Sequence, residues 1–76
     1  MSLYDEIGEE IVDLRKQRGY TQERLALECG ISPSYLRLIE HGDANPTVGE
    51  LVRIADVLGV KLVVLFTVPA RAGATH

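Results

Sequence analysis

The chain has 76 residues, 46% of them apolar and 25% charged, and its 11 acidic and 8 basic side chains leave a net charge of −3. One small domain with a modest core fits these values, whereas a second domain, a disordered polymer and a collagen-like repeat do not. No apolar run approaches the roughly 18 to 20 residues of a spanning helix, and no basic stretch precedes an apolar one at the N-terminus, so a cytoplasmic protein with no membrane partner is expected.

Ile7, Ile11 and Leu14 recur at steps of four and three, which predicts an amphipathic helix over about residues 3–18, stopped by Gly19. Acidic residues (Asp5, Glu6, Glu9, Glu10, Asp13) open it and Arg15, Lys16 and Arg18 close it, the order a helix dipole favours. Lys16 and Arg18 are therefore either last-turn cations or contacts to an anion. Thr21 is the N-cap of a second helix, Gln22 to Cys29, ended by Gly30. Ser32 caps a third helix with Pro33 at its first position, where a missing N–H costs nothing, and His41-Gly42 closes it. Thr47 and Glu50 form a capping box for a fourth helix, whose apolar stripe Leu51, Ile54, Ala55, Leu58 ends at Gly59. Four helices by residue 59 make the class all-α.

From Val60 to Val68 the composition turns β-branched, and Leu62, Val64, Phe66 and Val68 alternate onto one face, which predicts a strand; Leu62, Leu65 and Phe66 also fit a one-sided helix. A strand here has no partner in the chain, so it is expected to pair with its copy in a homodimer, making Leu62, Val64, Phe66 and Val68 the dimerisation residues. The domain is expected over residues 1–68, with a flexible tail over 69–76.

Cofactor and catalytic patterns are missing. Cys29 is the single cysteine, His41 and His76 lack zinc-type spacing, and no Ser or Cys nucleophile stands with a base or a phosphate-cradling glycine loop. Neither a metal, a cofactor nor an enzyme is expected. Cys29 reads as a small buried hydrophobe, with a redox switch as the alternative. Charge is uneven, however: residues 1–13 hold five acidic and no basic side chains, whereas residues 14–41 hold five basic against three acidic. One end of the domain is biased towards anions.

The informative stretch is Gln22 to Glu40. Two short helices lock at a steep angle when a small residue lies at their crossing, a glycine at the turn and apolar residues on the inner faces. Ala26, Gly30 and the set Leu25, Cys29, Ile31, Leu36 and Ile39 meet these conditions. At 100° per residue, Leu36 and Ile39 of the third helix point inward while Ser34, Arg37, Leu38 and His41 share the opposite face. The run "RKQRGYTQERLALECGISPSYLRLIEHGDANPTVGELVRIADVLGV", Arg15 to Val60, resembles the helix-turn-helix superfamily of lambdoid phage repressors and Cro, the XRE family.

That resemblance implies a four- to five-helix repressor-like domain whose third helix enters the major groove of double-stranded DNA, as a homodimer. It implies a sequence-specific transcriptional regulator, in the simplest case a repressor. The alternatives are an antitoxin that also binds a toxin, or a protein-interaction module that has lost DNA binding. Base readout is expected from Pro33, Ser34, Arg37 and Leu38. Arg37 is the candidate for a bidentate bond to guanine, or else an exposed partner for Glu40; Leu38 and Pro33 suit thymine methyl groups, or are singly exposed apolar residues. Phosphate contacts are expected at Thr21, Gln22, Tyr35, His41, Asn45 and Thr47, although Thr47 is also a cap, Tyr35 also suits ring packing over the second helix, and His41 also suits a helix C-terminus. Arg15 and Glu40 match a structural salt bridge between the first and third helices in the phage repressors.

Overall fold

The computed structural model describes residues 2–66, which contain five α-helices and no strand: α1 (Leu3–Gln17), α2 (Gln22–Cys29), α3 (Pro33–Glu40), α4 (Val48–Leu58) and α5 (Leu62–Leu65). Each of the first four starts on a hydroxyl cap that satisfies an otherwise orphaned N–H: Ser2, Thr21, Ser32 and Thr47 accept from the backbone of Asp5, Arg24, Tyr35 and Glu50. The cap of α1 is reciprocal, because Asp5 returns its carboxylate to the Ser2 N–H at 3.0 Å. The sequence reading missed it, since aspartate is shorter than the Glu or Gln of the usual box.

The principal packing contacts close a ring, α1 on α3, α3 on α2, α2 on α4, α4 on α5 and α5 back on α1. Its centre is filled by the inward stripes, including Ile11, Leu25, Leu36, Ile54 and Leu65, all essentially inaccessible. Removing such side chains from water at about 25 cal/mol per Å² is the main stabilising term. The α2–α3 junction depends on Gly30, whose left-handed backbone (φ 73°, ψ 27°) lets the Ile31 N–H reach back to the Ala26 carbonyl at 3.0 Å. A side chain with a Cβ is strained in that region, so the turn favours glycine.

Within the described residues, the strand expected over 60–68 is corrected at 62–65, where the one-sided helix, the other reading of that stretch, is found. Leu62–Leu65 form one helical turn, with the Val64 N–H donating to Lys61 at 2.9 Å and the Phe66 N–H to Val63 at 3.1 Å. A lone strand would leave its amides unpaired, whereas a helical turn satisfies them locally and drives Leu65 into the core, with Leu62 and Val64 packed partly against it. Leu62 and Val64 thus pack on their own chain, Phe66 remains exposed, and Val68 and the expected tail lie outside the described residues.

Candidate nucleic-acid interface

Burial of Leu36, Ile39 and Glu40 fixes the rotation of α3 about its axis. The opposite face then has to look outward, and Pro33, Ser34, Arg37, Leu38 and His41 are all exposed. Leu38 keeps 46% of its surface accessible in the middle of this polar face. Arg37 has no ion-pair partner among the described residues. The alternative pairing with Glu40 is not formed, because the Glu40 carboxylate turns inward.

That carboxylate is the buried charge among the described residues. Its Oε2 accepts from Arg15 Nε at 2.7 Å, and its Oε1 accepts from Arg15 Nη2 at 3.3 Å and from Gln22 Nε2 at 2.7 Å. Arg15 also donates through Nη1 to the Tyr20 carbonyl at 3.0 Å. Arg15 of α1 and Glu40 of α3 thus form an ion pair at 2.7 Å. Gln22 as a third member was not foreseen, because a contact between residues so far apart in sequence carries no local signal.

The other expected contacts lie at two further helix starts. Thr21 and Gln22 open α2, and because Thr21 Oγ takes the Arg24 N–H, the amides of Gln22 and Glu23 have no acceptor among the described residues. Asn45 and Thr47 lie exposed at the entrance to α4. Thr47 donates its N–H to Glu50 Oε1 at 2.9 Å and accepts from the Glu50 N–H at 3.0 Å, leaving its hydroxyl proton available. Tyr35 differs from the other expected phosphate contacts: its hydroxyl donates to Glu50 Oε1 at 2.7 Å, tying α3 to α4 and committing its single donor proton. This bond raises the Tyr35 pKa, and the Thr47 amide followed by Tyr35 holds the Glu50 carboxyl below its ordinary range. The role of Glu50 beyond its capping box was not anticipated.

A helix-turn-helix family model (HTH_3) matches residues 11–65. The chain belongs to the XRE-type helix-turn-helix family. Similar proteins include the HTH-type transcriptional regulator y4dJ of Sinorhizobium fredii, 41% identical over 61 residues that cover 80% of this chain and 79% of that one. The HTH-type transcriptional regulator RamB of Mycobacterium tuberculosis is 46% identical over 54 residues, 71% of this chain, but the helix-turn-helix chain spans only 11% of RamB. Among solved structures, the biofilm master regulator SinR in complex with DNA superimposes with a TM-score of 0.76 at 35% identity, covering 80% of this chain and 98% of that one.

Around the helix-turn-helix, the described residues contain no cluster of His, Cys, Asp and Glu able to hold a metal, and no helix long and apolar enough to cross a membrane. Cys29 is buried behind the turn, and burial pushes its thiol pKa up to about 11. A thiol so far from ionising at neutral pH suits the packing role rather than the redox one.

Proposed function

We propose that this XRE-family chain is a sequence-specific DNA-binding transcriptional regulator, acting in the cytoplasm as a homodimeric repressor and not as an enzyme. The observation that carries the reading is the uncovered outer face of α3: side chains able to read bases stand on a helix whose rotation is fixed by Leu36, Ile39 and the Glu40 network. The kinship with transcriptional regulators, and with SinR solved on DNA, supports it.

In this reading Arg37 makes a bidentate bond to guanine O6 and N7, Ser34 bonds a base edge, and Leu38 and Pro33 meet thymine methyl groups. The starts of α2 and α4 grip the backbone through Thr21, Gln22, Asn45 and Thr47, with His41 at the end of α3 beside them. Tyr35 joins them only when its bond to Glu50 opens. Among the described residues, Phe66 is the exposed member of the proposed dimerisation set, and a charge placed there, Phe66→Glu, is expected to shift the dimer towards monomer in sedimentation. Selection of bound duplexes from a random DNA pool tests the reading as a whole. Recovery of a two-fold symmetric motif supports it, and recovery of no enriched sequence rejects it.

A further inference from the structure

We infer that Glu40 is a positioning residue for DNA binding, acting through the side-chain amide of Gln22. This rests on the proposal above that Gln22 meets a phosphate. Gln22 is the first residue of α2, where a free glutamine side chain is mobile and presents either its oxygen or its N–H groups outward. A phosphate accepts from the N–H and repels the oxygen. Glu40 removes this ambiguity. Its Oε1 takes one Nε2 proton at 2.7 Å, a shorter bond than the 3.3 Å arm from Arg15 Nη2 to the same oxygen, and so fixes which end of the amide is nitrogen.

Three features make the carboxylate a firm reference point. It is buried, its other oxygen is held by Arg15 Nε at 2.7 Å, and Arg15 is itself anchored to the Tyr20 carbonyl at 3.0 Å, one residue before the cap of α2. The positive guanidinium also offsets the negative charge that a phosphate would otherwise meet behind Gln22. The second Nε2 proton has no acceptor among the described residues and is left for the backbone of the duplex. Because the amide is ordered before the encounter, binding does not have to freeze it, an advantage of about threefold to tenfold for one side chain.

A double-mutant cycle tests this, using the tightest duplex recovered from a random pool by the unmodified protein, and a second set of the same duplex with single phosphates replaced by neutral methylphosphonate. Affinities are compared for the unmodified chain, Gln22→Ala, Glu40→Gln and the double variant, at a temperature where circular dichroism finds each folded. Gln22→Ala is expected to cost about tenfold, the loss of one hydrogen bond to a charged group, and to cost nothing further at one methylphosphonate position. Glu40→Gln is expected to cost about threefold to tenfold alone and close to nothing in the Gln22→Ala background. Additive losses would overturn the inference while leaving the DNA-binding reading intact, and so would an unchanged affinity for Gln22→Ala. Failure to recover any duplex would overturn both. Should Glu40→Gln not fold, the two Nε2 protons of Gln22 in the unmodified protein decide by NMR. One is expected to exchange slowly and stay in place while the other shifts on adding the duplex; averaging of the two would contradict the assignment.

Discussion

Gly8 of α1 lies directly against the last turn of α3: a Cβ built at Gly8 would stand 2.6 Å from the Ile39 carbonyl oxygen and nearer still to that of Glu40. Helix propensity alone favours alanine over glycine in a helix interior by about 1 kcal/mol. Here the contact is with backbone, which cannot rotate away, so overpacking at about 1 to 3 kcal/mol outweighs the propensity gain. Gly8→Ala is expected to lower the melting temperature; a rise would show that α1 can retreat from α3 at little cost.

The Arg15–Glu40 pair sets a second expectation. The Glu40 side chain is 2% accessible and that of Arg15 12%, so removing the cation strands a carboxylate in the interior with Gln22 as its remaining donor. Arg15→Met is expected to cost about 3 to 5 kcal/mol in denaturant unfolding, because the uncompensated charge dominates the lost attraction. A change within 1 kcal/mol of zero, roughly the size seen for surface pairs, would mean that water reaches the carboxylate.

Much of this architecture is legible in the sequence because it is written locally. The bounds of α2, the caps Thr21, Ser32 and Thr47 and the Gly30 turn follow from side chains acting within three or four residues of themselves, and the inward stripe of α3 follows from its period. The Gly8 contact, the Gln22–Glu40 bond and the Tyr35–Glu50 bond join segments that only the folded ring brings together, so no spacing announces them. Residues 62–65 fail for a different reason. Their β-branched composition fits a strand and a short buried turn equally, and what decides between them is the place left for Leu65 in the core.

Acid should weaken the helix starts. The N–H and hydroxyl of Ser2, the N–H first, lower the Asp5 pKa, and Thr47 then Tyr35 lower that of Glu50, from ordinary values of 3.8 and 4.5. A carboxyl whose folded pKa is depressed contributes stability above its unfolded value, and this is lost as pH falls through the folded one. Stability is therefore expected to fall below about pH 4.5, with a shallower fall in Glu50→Gln. An identical acid profile for that variant would show that the Glu50 carboxylate does not contribute to acid sensitivity.

Cys29 supplies a probe of the turn. With its thiol pKa near 11 and its side chain buried, alkylation at pH 8 is expected to proceed only through opening of the α2–α3 junction and to accelerate to the free-thiol rate in denaturant. Rapid alkylation of the folded protein would mean that this junction is loose.

If the outer face of α3 reads base sequence, the specificity ratio of Arg37→Ala reports it. Affinities for the selected duplex and for a scrambled duplex of equal length, at one salt concentration, are compared with those of the unmodified chain. Arg37→Ala is expected to lose about 1 to 3 kcal/mol on the selected duplex and little on the scrambled one. Equal losses on both would place Arg37 on the phosphate backbone and rule out base readout by this face.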